Sequence, residues 1–194
     1  RSLSQIKDEY GITDDEFVII TVCRLVKWKR VDRGLHLVAR LTNNFGIQHI
    51  KYFIIGDGEQ KHELEQMAHQ LGIAEKVVFC GPINNEYLGE YYQMADAVLL
   101  TYDHSNVGNP LLEAIRMNKY IFTLNNGDTN KWIIHKYNVF IYDIKDSFLD
   151  QIACDMAELI TNIDKFEYIK KNLQQTANEK LWTWQERLDK EVNE

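Results

Sequence analysis

The stretch from residue 105 to residue 114, SNVGNPLLEA, combines a predicted anion site with a carboxylate. Asn109 is a residue type that favours a helix N-cap, and Pro110 favours the first helical position. The free backbone N–H groups of a helix start attract anions, and Gly108 would let an anion come close to the backbone. The sequence therefore predicts a phosphate site at this helix start.

Glu113 follows two leucines on the same predicted helix, so its carboxylate needs a partner if it is buried. With Asn109 as the cap, Glu113 does not fit a capping box, in which the glutamate stands three residues after a Ser or Thr cap. A carboxylate at this place can accept two hydrogen bonds from the vicinal hydroxyls of a ribose. The alternative is an ion pair with Arg24 or another basic residue, because buried acids are commonly paired.

Basic residues form a second group that could bind a ligand. The otherwise acidic chain concentrates five of them in one short segment: Arg24, Lys27, Lys29, Arg30 and Arg33. Arg24 comes directly after a predicted buried strand, and its planar guanidinium suits phosphate oxygens. Lys29 stands just before the next predicted helix and would add a point charge to the same anion. For Lys27 and Arg30 a solvated surface loop is the simpler interpretation.

Six short apolar runs would position these residues. They are FVIITVC (17–23), KYFIIG (51–56), KVVFCG (76–81), DAVLLTY (96–102), KYIFTL (119–124) and NVFIYD (138–143). Runs of strand length without polar alternation are typical of parallel strands buried on both faces, and helix-period segments separate them. The sequence thus predicts an α/β fold, a Rossmann-like doubly wound six-stranded parallel sheet flanked by helices. Three helical segments after Asp143 would form a C-terminal helical annex. Ligands of such sheets bind at the carboxyl ends of the strands, where both groups of residues fall.

Glycines also follow the predicted strands. Gly56 and Gly58 in GDGEQ give part of a dinucleotide-binding fingerprint, but Lys61 stands at the third glycine position, which disfavours a dinucleotide oxidoreductase. A tight turn is the better interpretation, because glycine adopts unusual backbone dihedrals. Gly81, in CGPIN, would let a flat ligand such as a nucleobase approach the backbone.

Composition narrows the function classes. A net charge of −7 argues against general nucleic-acid binding. The three cysteines, without CxxC spacing, predict a reducing compartment and no structural metal site. No apolar stretch reaches the roughly 18 to 20 residues of a transmembrane helix, and the polar opening does not predict a signal peptide. The opening lacks an initiator methionine, so a fragment or an excised domain remains an alternative.

Two stretches of the sequence resemble motifs of a known family. The stretch VIITVCRLVKWKRVDRGLHLVARL resembles the opening of the donor-binding domain in retaining GT-B glycosyltransferases of group 1, family 4 type. SNVGNPLLEAI resembles that family's motif of two glutamates separated by seven residues. The matching positions of the first stretch are Arg24, Leu25, Lys29 and the segment RVD, in which Arg30 stands where the family has glycine. The resemblance extends over nearly the whole chain, including the closing helix around Trp182 and Trp184.

The resemblance implies a role for each matched residue. Arg24 and Lys29 would bind the diphosphate of a sugar nucleotide and offset charge on the leaving nucleoside diphosphate, which is electrostatic catalysis without a metal. Glu113 would hold the ribose hydroxyls. The other donor-binding positions would be Ser105, Val107, Gly108, Asn109, Pro110 and Leu111 around the phosphate and sugar, and Pro82 and Ile83 beside the base. The implied reaction is transfer of a sugar, with retention at the anomeric carbon, from a UDP- or GDP-linked donor and without a cofactor.

Three departures from the family pattern shape the expectation. Ser105 stands where the family has a glutamate that contacts the transferred sugar, and Asp103 and His104 lie near enough in sequence to substitute for it. Cys23 replaces the glycine before the arginine. The family's N-terminal acceptor domain is absent, so residues 1–194 would be a single donor-binding domain that is inactive alone. The alternative, prompted by Ser105, is a non-catalytic nucleotide-binding module that has lost transfer.

The resemblance also implies a setting. The expected partners are a sugar-nucleotide donor and the N-terminal acceptor domain of the same enzyme, with no nucleic acid. The expected process is glycan or polysaccharide biosynthesis. We expect a cytoplasmic protein, and the acceptor domain could give it peripheral contact with the inner face of the membrane.

Overall fold

Six parallel strands form one sheet in a computed structural model that describes residues 2–104, 108–131 and 133–181. The strands are β1 (Phe17–Val22), β2 (Ile50–Ile55), β3 (Val77–Gly81), β4 (Ala97–Leu100), β5 (Tyr120–Leu124) and β6 (Phe140–Tyr142). Their spatial order is β3-β2-β1-β4-β5-β6, with every neighbouring pair parallel. The predicted Rossmann-like doubly wound sheet is therefore confirmed. The strand order reverses between β1 and β4, which places the ligand crevice of this fold at their carboxyl ends.

Helices cover both faces of the sheet. They are α1 (Leu3–Tyr10), α2 (Val31–Asn44), α3 (Lys61–Gln70), α4 (Asn85–Met94), α5 (Asn109–Arg116), α6 (Phe148–Thr161) and α7 (Glu167–Lys180). The last two form the predicted C-terminal annex, whereas the predicted third segment, with Trp182 and Trp184, lies outside the described residues. Within the described ranges, no helix has the length and apolar character needed to cross a membrane.

Two apolar layers sandwich the sheet, which explains why the strands lack polar alternation. Ile19 and Tyr52 belong to the layer on one face, and Ile20 and Phe53 to the layer on the other, each with no exposed surface. Successive side chains of a strand point to opposite faces, so both phases of the pattern must be apolar when both faces are covered.

A buried hydroxyl pair ties the central strands together. The Thr21 and Tyr52 hydroxyls are 2.8 Å apart, and Thr21 also donates to the Leu99 carbonyl at 2.8 Å. These contacts join β1, β2 and β4, and Thr21 and Leu99 each lie one residue before the end of their strand. The ends of β1 and β4, from which the next loops start, are therefore held together by hydrogen bonds.

Candidate functional site

Two cavities lie at the carboxyl edge of the sheet and a third lies between α4 and α5, and together they are lined by every described residue of the predicted site except Asn109. The β1–β4 cavity, of about 460 Å³, is lined by Lys29, Asp103, Gly108 and Pro110 among others. The β1–β3 cavity, of about 330 Å³, is lined by residues that include Arg24, Pro82 and Ile83. The α4–α5 cavity, of about 520 Å³, is lined by residues that include Glu113 and Arg116. Asn85 and Leu88 line both of the last two cavities, so these two adjoin.

Lys29 is held in the β1–β4 cavity by two aromatic rings. It ends the short 3₁₀ turn Lys27–Lys29, and its Nζ lies 3.8 Å from the ring centroid of Tyr102 and 4.2 Å from that of Trp28. Burial lowers the pKa of Lys29, and the charge of Arg24 lowers it further, while Cys23 acts in the opposite direction. The site thus holds a partly desolvated cation, which an anion would stabilise.

The start of α5 borders the same cavity, one residue earlier than the sequence predicts. Gly108, not Asn109, is the N-cap, because its carbonyl accepts the first helical hydrogen bonds from the N–H groups of Leu111 and Leu112. Asn109 and Pro110 are therefore the first and second helical residues, and the prediction of an Asn109 cap with Pro110 at the first position is wrong. No cap side chain bonds to this helix end. Gly108, Pro110 and Leu111 all line the cavity, and an anion site at this helix start stays a prediction.

Glu113 lies on the side of α5 that faces α4. Its Oε2 accepts a hydrogen bond of 2.8 Å from the Tyr92 hydroxyl, and none of the described residues bonds to its Oε1. Burial raises the pKa of Tyr92, and the contact with Glu113 raises it further, so the phenol stays a donor. The alternative of an ion pair with Arg24 or another basic residue is not observed among the described residues, and Arg24 lines a different cavity. Glu113 therefore keeps an oxygen for a ligand.

Arg24 is exposed beside the β1–β3 cavity, as its position after β1 predicts. Within the described part of the chain, its guanidinium has no hydrogen bond or ion pair. Pro82 and Ile83, which the resemblance places beside a nucleobase, line the same cavity. The structure therefore brings together residues of the loops after β1 and β3 around one surface that an anionic ligand could occupy.

The glycine turn after β2 is confirmed. The backbone of Gly56 in this turn lies very close to the backbone of Cys23, which the sequence does not reveal. Gly56 has φ +133°, and a Cβ there would lie 1.9 Å from the carbonyl oxygen of Cys23. The backbone that leads into Arg24 therefore runs against the turn. Gly81 has φ +70° with open space beside it, so the position favours glycine through its conformation.

The prediction that Arg30 lies in a solvated surface loop is wrong. It is half-buried in the left-handed conformation, φ 50°, and its guanidinium pairs with Asp32 at 2.8 Å and with Asp103 at 3.3 Å. This backbone conformation gives a reason for the glycine of the resembling family at the same place. Arg33, only 9% exposed, pairs with the same Asp103 oxygen at 2.7 Å. Lys27 is exposed, as predicted.

Several residues that line these cavities were missed because their chemistry is aromatic or depends on distant partners: Trp28, Tyr92, Tyr102 and Asn126. Trp28 could have been noticed as a large apolar residue inside a basic run. Tyr92 gives no sequence signal, since its contact with Glu113 bridges two helices. Ser105 and Val107 lie outside the described residues.

Cysteines add no reactive group to the described site. Burial raises the pKa of Cys23 to about 11 and that of Cys80 to about 12, so both thiols stay protonated near neutral pH. Over residues 2–104, 108–131 and 133–181, no group of three or more His, Cys, Asp or Glu side chains is placed to hold a metal ion.

Comparison with protein families gives a match over most of the chain. The family model for "Glycosyl transferases group 1" matches residues 4–176. An uncharacterized glycosyltransferase of Methanocaldococcus jannaschii, MJ1607, is 28% identical over 184 residues, which cover 94% of this chain and 45% of that protein. The chain thus spans about half the length of the curated relatives it matches.

Solved structures share the fold. The crystal structure of Anabaena Alr3699/HepE in complex with UDP and glucose has a TM-score of 0.79 and 20% identity, over 91% of this chain and 47% of that one. The crystal structure of the C-terminal domain of a glycosyl transferase group 1 family protein, LpcC from Francisella tularensis, has a TM-score of 0.75 and 21% identity, over 93% of both chains. At these identities the likeness concerns the fold alone.

Proposed function

Since the chain belongs to the family of glycosyl transferases group 1, we propose that it is the C-terminal, donor-binding domain of a two-domain glycosyltransferase. Its ligand would be a nucleoside diphosphate sugar, linked to UDP or GDP. The observation that carries the proposal is the position of Lys29, whose partly desolvated amine lines the same cavity as the start of α5. A cation and a helix N-terminus together form a site for a diphosphate.

Under this proposal, each of the three cavities would hold one part of the donor. The diphosphate would lie between Lys29 and the start of α5, with Arg24 adding charge from the β1–β3 side. The ribose hydroxyls would donate to Glu113, which Tyr92 orients through its 2.8 Å hydrogen bond. The base would lie beside Pro82 and Ile83.

The reaction we propose is metal-independent transfer with retention at the anomeric carbon. Transfer breaks the bond between that carbon and a phosphate oxygen, so negative charge develops on the departing nucleoside diphosphate. Arg24, Lys29 and the positive end of the α5 dipole would offset that charge. Positively charged groups that are already in place when the charge develops need no reorganisation during the step, which makes their contribution large.

The acceptor side of the enzyme would come from another domain. The chain covers 45% of the length of MJ1607, which leaves room for an N-terminal acceptor domain in the same polypeptide. We therefore expect the isolated chain to bind donor without turning it over. A cytoplasmic role in glycan or polysaccharide assembly, with any membrane contact made through the acceptor domain, accords with this organisation. The second candidate is a nucleotide-binding module without transfer activity, favoured by Ser105 at the position of the family's first glutamate.

Calorimetric titration of the chain with UDP, GDP and NAD tests the binding proposal. We expect one of the two nucleoside diphosphates to bind and NAD not to bind. Arg24→Ala and Glu113→Ala should each weaken that binding by about tenfold or more, the cost of losing a hydrogen bond to a charged group. Lys27→Ala, an exposed neighbour, is the matched control. Absence of binding by both diphosphates, or wild-type affinity in both variants, would overturn the site assignment.

The pH dependence of diphosphate binding should report on Lys29. Its pKa is lowered from 10.5 in the free protein, chiefly by burial, and a bound diphosphate would favour the charged amine and raise that pKa again. Affinity should therefore stay level below the lowered pKa and fall as the pH rises through it. Titrations at increasing pH on wild type and Lys29→Met measure this, and the difference between the two cancels ionisation of the base. Identical pH profiles would contradict it.

A further inference from the structure

Arg33 is a buried cation that the proposed diphosphate site does not use. It lies in the first turn of α2, and its Cζ is 5.2 Å from the centroid of the Phe148 ring. A guanidinium is costly to remove from water unless partners accept its N–H groups. The partners of Arg33 lie in the segment that follows β4, so this side chain connects the start of α2 to that segment.

These partners are the two residues on either side of Tyr102. Arg33 Nη1 donates to the Thr101 carbonyl at 2.7 Å, and its Nη2 lies 2.7 Å from Asp103 Oδ1. A planar guanidinium that bonds to two acceptors fixes their direction as well as their distance. Arg33 therefore holds the backbone before Tyr102 and the carboxylate after it.

Tyr102 in turn places the amine of Lys29. The Lys29 Nζ lies 3.8 Å from the centroid of the Tyr102 ring, and the Tyr102 hydroxyl donates to the Val22 carbonyl at 3.1 Å. The ring is thus fixed by β1 at its hydroxyl end and by the segment 101–103 at its backbone end. A displacement of the backbone end would move the ring away from the amine and let water reach it.

The same segment also supports the turn that carries Lys29. The Asp103 backbone N–H donates to the Trp28 carbonyl at 3.0 Å, and the Thr101 hydroxyl donates to the Arg30 carbonyl at 3.4 Å. The residues on both sides of Lys29 are therefore bonded to the segment 101–103. The position of the amine depends on this segment through the turn as well as through the ring.

We propose that Arg33 is a positioning residue, which holds the segment 101–103 so that Lys29 keeps its amine in the β1–β4 cavity. Arg33 touches no ligand itself and acts through the Tyr102 ring and the turn that carries the lysine. The proposal rests on the proposed function, because a fixed cation at this place serves the binding of a diphosphate. An amine that stays partly desolvated acts on the diphosphate with less screening by water.

The first measurement follows the Lys29 amine in the free chain. The carbon-13 resonance of Lys29 Cε, assigned by its absence in Lys29→Met, is recorded by NMR as the pH rises. The midpoint gives the pKa of the amine, and the shift at neutral pH reports the ring current of Tyr102. The titratable groups around the amine stay the same in every variant of Arg33 and Arg30: Cys23, Arg24, Tyr102, Asp103 and His104.

Arg33→Met should raise the pKa of Lys29 toward its ordinary value of 10.5, because the amine gains water when the segment 101–103 moves. The ring-current shift of Lys29 should shrink at the same time. Arg33→Lys keeps the charge but replaces the planar fork by a point charge, so it should change both quantities in the same direction. A cooperative urea transition shows that a variant is folded, and Arg33→Lys decides alone if Arg33→Met does not fold.

Arg30→Gly is the matched control. It removes a guanidinium that pairs with the same Asp103 oxygen, at 3.3 Å, and glycine tolerates the left-handed conformation of Arg30, φ 50°. This variant should leave the pKa and the ring-current shift of Lys29 as they are in the wild type. It therefore separates the two bonds of Arg33 from the mere loss of a positive charge beside Asp103.

The second measurement is diphosphate binding, by calorimetric titration of the same proteins with UDP and GDP. Arg33→Met should weaken the binding of the preferred diphosphate by about five- to tenfold at neutral pH, as for a weakened charge-assisted contact. The fall of affinity at alkaline pH should move to higher pH, together with the pKa of Lys29. A loss of stability alone would not move this pH profile.

Two results would overturn the positioning role. One is a wild-type pKa and ring-current shift of Lys29 in the folded Arg33 variants, whether or not diphosphate binding weakens. The other is an equal change in Arg30→Gly, which would assign the effect to charge. If the wild-type chain binds neither UDP nor GDP, the proposed function fails. The measurements on the amine of the free chain still decide whether Arg33 positions Lys29, so the two failures are distinguishable.

Discussion

Replacing Lys29 with methionine in the full-length enzyme is expected to lower kcat by a factor on the order of 10² to 10³. The amine is partly desolvated between Trp28 and Tyr102, so it would act on the developing charge of the leaving diphosphate with less screening by water than an exposed lysine. Methionine keeps an unbranched apolar side chain between the two rings and removes the charge alone. The measurement is the initial rate of nucleoside diphosphate release, with the sugar conjugate that the chain binds best.

Lys27→Met is the matched control, because Lys27 opens the same 3₁₀ turn but is exposed to solvent. It should keep kcat within about twofold, since exposed charges contribute little. A Lys29→Met enzyme with wild-type kcat would remove Lys29 from the transfer step. A full-length wild type that binds the donor but transfers nothing would favour the non-catalytic module.

Neighbouring carboxylates divide the basic segment after β1 into two classes. Arg30 and Arg33 share Asp103, and Arg30 also pairs with Asp32, so two carboxylates offset the two guanidinium charges inside the protein. Arg24 and Lys29 form no ion pair with another described residue, and both stand at the ligand edge of the sheet. A diphosphate would therefore meet the positive charge of these two residues, although the sequence shows the segment as uniformly basic.

The fold could be predicted from the sequence because its signal is local. Each strand is buried on both faces, which leaves a short apolar run without alternation, and the parallel topology brings all strand ends to one edge. The positions of Arg24 and Lys29 in the loop after β1, and of Glu113 on the helix after β4, followed from the order of elements alone.

Details of the site could not be predicted, because they depend on backbone conformation or on distant partners. The N-cap of α5 is set by the extended conformation of Gly108, not by the better capping side chain of Asn109. The partner of Glu113 is Tyr92, which packs against it from another helix. Nothing in the local pattern around Arg30 indicates its left-handed conformation, since asparagine, aspartate and glycine are the usual residues there.

Gly56, in the glycine turn after β2, should be highly sensitive to substitution. Gly56→Ala is expected to lower the free energy of unfolding by about 3 to 5 kcal/mol, in the range of severe point mutations. The new Cβ would lie 1.9 Å from the Cys23 carbonyl oxygen, and the backbone has φ +133°. Strain and clash therefore add. Urea unfolding followed by circular dichroism measures the loss.

The Gly72→Ala variant separates the cost of backbone strain from the cost of the steric clash. Gly72 also has positive φ, +69°, but a Cβ there meets nothing within 4 Å. It should cost only about 1 to 2 kcal/mol, the strain of a left-handed residue with a side chain. Equal losses in the two variants would show that the Cys23 backbone moves away at little cost. That movement would in turn displace Arg24, the next residue, so the same Gly56→Ala protein should then show weakened UDP or GDP binding. The turn thus links the stability of the sheet edge to the position of the arginine that faces the ligand.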